Sequence, residues 1–156
     1  MSEELPSRRK LNHTTPFVAR DAIYFVTICV REREGAPLLP MASGLLDDAR
    51  YYQTQGKWFL YIFLVMPDHI HMLVHVPPER PLADVIAAWK RGVARRRGVG
   101  FQRDFFETRI RDAAHYAEKW NYICQNPVAK GLVSCPREWA WSIAFDRATG
   151  SERAHR

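Results

Sequence analysis

Four short runs rich in β-branched and aromatic residues punctuate the chain: Ile23 to Val30, Trp58 to Val65, His69 to Val76 and Phe105 to Arg111. Runs of this length and composition predict strands. Pro67 cannot donate to a ladder, so it marks the connection between the second and third runs. Between the strands the period changes. Leu82, Val85, Ile86, Trp89 and Val93 recur at three- and four-residue spacing, which predicts a helix from about Pro81 to Arg95 with one buried stripe. Leu45 to Tyr52 reads as part of a shorter helix. A last helix is expected from Asp112, a good N-cap, to about Asn126, where Pro127 ends it and Gly131 turns the chain. On its wheel Ala113, Tyr116, Ala117, Trp120, Ile123 and Cys124 form the stripe expected to face the core. His115, Glu118, Tyr122, Gln125 and Asn126 share the opposite face.

The order strand, helix, strand, strand, helix, strand, helix predicts an α+β, ferredoxin-like sandwich. Its antiparallel sheet would carry helices on one face, with the C-terminal helix added. Residues 21–145 are expected to form the domain, 1–20 a basic arm and 146–156 a frayed tail. The segment from Leu132 to about Phe145, with Trp139 and Trp141, is expected to pack over the sheet.

Composition narrows the class. At 156 residues and 47% apolar, the chain suits one domain with a real core. No apolar run approaches membrane-spanning length, and the first ten residues lack the apolar stretch of a signal peptide. Three cysteines without a Cys-x-x-Cys spacing fit a reducing cytoplasm and argue against a zinc–cysteine site. The net charge of +6 and pI near 9.5 point to a polyanionic partner. Arg8, Arg9 and Lys10 form one basic cluster. Lys90, Arg91, Arg95, Arg96 and Arg97 form another, denser than a helix dipole requires, and are read as phosphate contacts.

The chemistry concentrates in Met-Pro-Asp-His-Ile-His-Met-Leu-Val, residues 66–74. On a strand His69 and His71 point to one face, and Ile70, Met72, Val74 and Val76 to the other. Two imidazoles beside an apolar layer make a ready pair of nitrogen ligands for a divalent metal. His75 shares the face but lies about 13 Å along the strand from His71, so a third ligand should come from another element. The last helix offers one. Asn126 follows Tyr122 by four residues, so the two side chains are neighbours. An amide oxygen can ligate a hard cation, and a phenol beside that cation can attack phosphate.

These segments resemble a known family. Met66-Pro-Asp-His-Ile-His71 is similar to the histidine–hydrophobic–histidine motif of the single-tyrosine HUH transposases, with Asp68 where asparagine is common. Tyr122-Ile-Cys-Gln-Asn-Pro-Val-Ala-Lys-Gly-Leu-Val133 resembles their tyrosine segment. Tyr24-Phe-Val-Thr27, Trp89-Lys90, Ile110-Arg111 and Trp139-x-Trp-Ser142 match further, in particular with the insertion-sequence 200-like branch called REP-associated tyrosine transposases. Leu11-Asn12-His13 departs from that branch, which often has proline at the middle position.

The resemblance implies an RRM-like fold and a metal-dependent nickase and strand-transferase acting on single-stranded or hairpin DNA. It implies Mg²⁺ or Mn²⁺ on His69, His71 and Asn126, and Tyr122 as the nucleophile that forms a 5′-phosphotyrosine. The expected DNA contacts are the two basic clusters with Arg109 and Arg111, in a cytoplasmic monomer or homodimer. Two rival readings compete: a non-catalytic nucleic-acid-binding regulator on the same fold, and a metal hydrolase using the histidines with Glu107 or Asp68.

Overall fold

β-branched and aromatic runs become strands because their side chains fill both faces of a sheet that is covered on both sides. The computed structural model describes residues 22–154. Its elements are β1 (Ile23–Cys29), α1 (Ala42–Thr54), β2 (Phe59–Val65), β3 (His69–His75), α2 (Leu82–Arg97), β4 (Phe106–Arg109), α3 (Ala113–Ala129) and β5 (Ser142–Ala144). Short 3-10 turns at Leu39–Met41 and Pro136–Glu138 precede α1 and β5. The sheet order is β4-β1-β3-β2-β5, and the paired strands are all antiparallel. The first four strands have the ferredoxin-like order, so the expected fold class holds. The basic arm Arg8, Arg9 and Lys10 lies outside the described residues.

Two cores flank the sheet. On one face α1 and α2 pack over Val26, Ile28, Ile70, Met72 and Val74. The α2 stripe is buried as its period requires: Leu82, Val85, Ile86, Trp89 and Val93. On the other face α3 packs over Phe25, Tyr61, Ile62, Leu64 and Leu73. The helices therefore divide between the faces, with α3 alone covering the second. A register shift between Leu60 and Ile62 inserts Tyr61 as an extra residue in β2. Such a bulge lets consecutive residues face the same way, and both Tyr61 and Ile62 join the α3 side.

Four expectations need correction. The segment after Leu132 does more than pack over the sheet: Ser142–Ala144 pairs with β2 as a fifth strand. Trp139 anchors its approach, donating from its indole nitrogen to the Val65 carbonyl at 3.0 Å. The tail after 145 is not frayed through 153. Asp146 accepts from the Ala148 and Thr149 amides, Arg153 donates its N–H to Ala144, and Glu152 pairs with Arg50. A capped turn thus closes the chain back on β5.

Pro127 does not end α3, which runs on to Ala129. Proline's fixed φ is helical, and in the last turn its lost donor and its crowding of the preceding turn leave only two residues to follow it. The Lys130 and Leu132 amides bond back to Asn126 and Pro127, and Gly131, at φ +71°, makes the turn. The buried face of α3 is also not centred on the apolar stripe. Its buried residues are His115, Ile123, Asn126 and Pro127, whereas Ala113 and Ala117 are exposed. The reason is the surface beneath it. That sheet face is apolar on one side and carries His69, His71 and Thr27 on the other, so the helix buries a polar row beside an apolar one.

Candidate active site

β3 turns His69 and His71 toward α3, and β1 places Cys29 and Thr27 directly opposite them in register. Each imidazole is held from behind. Thr27 Oγ1 lies 2.8 Å from His71 Nδ1, and Asp68 Oδ1 lies 2.7 Å from His69 Nδ1. Arg33 Nε donates to the second Asp68 oxygen at 2.7 Å. The hydrogen bonds from His69 and Arg33 hold the Asp68 carboxyl far below the usual carboxylate range. An ionised carboxylate only accepts, so His69 carries a proton on Nδ1, and Nε2 is the nitrogen it turns toward the site. His71 is buried, and that burial, with the nearby His69 and Lys130, pushes its pKa well down and keeps it neutral.

The free ends converge. The two Nε2 atoms face each other at 3.1 Å, and Asn126 Oδ1 comes within 3.3 Å of His69 Nε2. Two nitrogen lone pairs at that distance repel unless a cation or proton lies between them. Adjacent ligands of an octahedral Mg²⁺ or Mn²⁺ at about 2.1 Å stand about 3.0 Å apart, so the spacing and the donor types fit such an ion. No group of three His, Cys, Asp or Glu side chains able to hold a metal occurs among the described residues. The third oxygen or nitrogen donor beside the pair is the Asn126 amide, which is buried to 1% exposure.

Tyr122 comes down on the same spot. Its ring centroid is 5.5 Å from that of His71, and the two rings meet edge to face. Phe25 wedges against both, stacked on His71 at 5.4 Å and edge-on to Tyr122 at 5.8 Å. Lys119, one turn earlier on α3, holds its ammonium 5.0 Å from the Phe25 ring centre and 5.8 Å from that of Tyr122. A pocket of about 300 Å³ opens between these groups, lined by His69, His71, Asp68, Tyr122, Arg33 and Lys130 among others. It holds a candidate nucleophile, two candidate ligand imidazoles and cations suited to an anionic substrate.

The wheel predicts the row of Tyr122 and Asn126 on the helix face away from the core, yet that row faces the sheet. Thr27, Arg33, Lys119 and Lys130 were missed as site residues. Register could have found Thr27, because a strand paired with the histidines must put something opposite His71. Helical spacing could have found Lys119. Arg33 lies in a loop and left no periodic signal.

The basic residues of α2 stand on the other side of the sheet, and two of them are occupied internally. Lys90 donates to the Gln102 and Arg103 carbonyls, both at 2.9 Å. Arg97 grips Asp48 with two nitrogens at 2.7 and 3.1 Å and reaches the Gly44 carbonyl. Arg96 is 3.6 Å from the same carboxylate, while Arg91 and Arg95 are exposed. The density of this cluster thus reflects α1–α2 packing in part. Arg109 pairs with Tyr24 and Glu107 with Val26, so both point to the α2 side of the sheet. That geometry removes Glu107 as a ligand partner of the histidines. Arg111 lies at the entrance to α3, on the site's side, in a second cleft.

The five-strand sheet thus carries a histidine pair on its central strand and a tyrosine-bearing helix across that face. The chain belongs to the IS200-like transposase family: residues 19–118 match the model described as "Transposase IS200 like". The match includes the histidine pair and stops short of Tyr122. A Haemophilus influenzae protein assigned to the REP-associated tyrosine transposases is 25% identical, across 85% of each chain. The ISDra2 transposase TnpA of Deinococcus radiodurans is 32% identical over 50% of this chain and 56% of its own. Among solved structures, a REP-associated tyrosine transposase bound to a REP hairpin superposes with a TM-score of 0.73. It is 23% identical and covers 91% of this chain and 82% of its own. A transposase from Deinococcus radiodurans gives a TM-score of 0.52 at 22% identity, over 72% of this chain and 95% of that one. No helix among the described residues is long and apolar enough to cross a membrane.

Proposed function

We propose that this transposase is a metal-dependent nickase and strand-transferase of the REP-associated branch, acting on hairpin or otherwise single-stranded DNA through a 5′-phosphotyrosine at Tyr122. One observation carries the reading: a single chain brings two imidazole nitrogens and an amide oxygen to one point and seats a tyrosine ring against them.

His69, His71 and Asn126 would hold Mg²⁺ or Mn²⁺. When bound, the ion supplies Lewis-acid chemistry for a phosphodiester. The chain's own residues do the rest. Arg33 and Lys130 draw the anionic backbone into the pocket. Phe25 and His71 fix the Tyr122 ring so that its hydroxyl has little freedom left to lose. Oη of Tyr122 bonds to phosphorus while the bond from phosphorus to the 3′ oxygen breaks. The phenol gives up one proton and the departing 3′ oxygen gains one, so the step is balanced. Because the new phosphodiester keeps the energy of the old one, a second 3′-hydroxyl can reverse it without ATP. The relative that was solved with a REP hairpin supports hairpin DNA as the substrate class. The two halves of the site meet within one chain, which supports a monomer as the working unit, and the protein would work in the cytoplasm with its DNA.

Incubation with end-labelled hairpin DNA and Mn²⁺ should give a denaturant-resistant adduct that maps to Tyr122. A shifted complex that dissolves completely in denaturant would favour the non-catalytic binding module instead.

A further inference from the structure

Beside the catalytic row, α3 carries a second strip. Tyr116 and Trp120 are half-buried and stack with ring centroids 6.0 Å apart and planes 29° from parallel. Tyr61, delivered to this face by the β2 bulge, meets Tyr116 edge to face at 5.7 Å. Two clefts flank the strip and share Tyr116. One, of about 250 Å³, is bordered by Arg111 and Arg147; the other, of about 290 Å³, by Asn121 and Arg153. The guanidinium of Arg147 lies 5.6 Å over the Tyr61 ring and that of Arg153 lies 5.3 Å over Trp120. The nearby carboxylates are engaged: Asp112 caps α3, Asp146 caps its own turn, and Glu152 is paired with Arg50.

We propose that this strip is a binding groove for the unpaired nucleotides that flank the scissile phosphate. Aromatic faces interleaved with arginines are the chemistry of single-strand binding, because every base has a π-face and every linkage a charge. The charge argues for DNA over an apolar protein segment: three exposed arginines border the groove. Position argues for the flank. Tyr116 precedes Tyr122 by six residues, about 9 Å along the helix, which is two or three stacked nucleotides at about 3.4 Å each. A strand leaving the pocket along α3 meets the strip next. The assignment rests on the single-strand reading of the active site and adds where that strand runs.

The test uses fluorescently labelled dT15 and a duplex of the same length, titrated by anisotropy with the full chain in Mg²⁺. Wild type should prefer dT15. Trp120→Ala and Arg153→Glu should each weaken it about tenfold, within the range for one stacked base. Trp120→Phe, which keeps an aromatic face, should retain most of the affinity, and this separates stacking from a folding defect. Arg111→Glu and Arg147→Glu should weaken dT15 and flatten its salt dependence. Wild-type affinity in Arg153→Glu and Trp120→Ala overturns the groove, as does failure of wild type to bind dT15 or an equal loss on the duplex. A concentration-dependent dimer that Trp120→Ala dissolves would reassign the strip to a second copy. Adduct formation on hairpin DNA is scored separately. Weakened dT15 binding with no adduct from wild type keeps the groove and sinks the nickase reading; adduct with unchanged dT15 binding does the reverse.

Discussion

His71 and Tyr122 pack ring against ring, centroids 5.5 Å apart, although one stands in the middle of a strand and the other 51 positions later on a helix. Phe25 touches both rings, stacked on one and edge-on to the other. One proposed ligand, His71, and the proposed nucleophile thus share an aromatic neighbour, and their roles should separate by function and not by fold.

Tyr122→Phe keeps the ring, its contacts and the fold, and removes the oxygen. Adduct formation should stop, while the melting temperature and hairpin affinity change little. Tyr116→Phe is the control, since its hydroxyl is no part of the pocket, and it should keep the adduct. Denaturing gels with peptide mapping read both. An adduct that survives in Tyr122→Phe would mean another residue attacks.

Metal binding should depend on the histidines directly and on their supports by degree. Calorimetry with Mn²⁺ should show a site that His69→Ala and His71→Ala abolish. Asp68→Ala and Thr27→Val free the imidazoles to turn, and should each weaken Mn²⁺ by about 10–100-fold, as is common for groups that orient a ligand. Undiminished binding in His69→Ala would move the metal elsewhere.

Asp48 and Arg97 form a clamp between α1 and α2, with Asp48 nearly buried and Arg97 partly exposed. Removing the carboxylate in Asp48→Ala strands a guanidinium against the Gly44 carbonyl and should cost about 2 kcal/mol in urea denaturation. Gly44 explains its own small size. A Cβ there would meet the free end of the Arg97 side chain, so Gly44→Ala should push the guanidinium out of the clamp at little cost to stability. An Asp48→Ala variant as stable as the unchanged chain would mean the clamp contributes only specificity.

The two basic surfaces should respond differently to charge reversal. Arg33 and Lys130 line the pocket, so Arg33→Glu and Lys130→Glu should weaken single-strand binding. Each should also reduce its salt slope by roughly 0.7 for every phosphate that is no longer neutralised. Arg95→Glu, on the helix across the sheet, should change that binding much less. Anisotropy across a salt series distinguishes them. A larger effect at Arg95 would return the α2 cluster to the DNA interface.

Periodicity alone determined a good deal here. The α2 stripe, the strand faces of β3 and the His-x-His pair could all be read, because each depends on spacing along one element. The order of elements was enough to give the ferredoxin-like sheet, because few topologies accommodate it. The pairing of Tyr122 with Asn126 was also legible, since four residues is one turn of any helix.

What lay outside the sequence was whatever two elements decide together. The face of α3 that is buried depends on the sheet under it, and a helical wheel centred on the apolar residues cannot know that this sheet is half polar. The fifth strand is only Ser142–Ala144, too short to carry a pattern, and exists because β2 had a free edge. The α2 arginines looked uniform in the chain and became distinct only when Asp48 arrived from α1. The site follows the same rule. The histidine pair and the adjoining Asp68 were visible in one motif, but the Thr27 hydroxyl and the Arg33 guanidinium that complete its support come from a neighbouring strand and a loop. Only the folded chain brings those two within hydrogen-bonding distance, because side-chain chemistry acts over a few ångströms and sequence separation does not measure them.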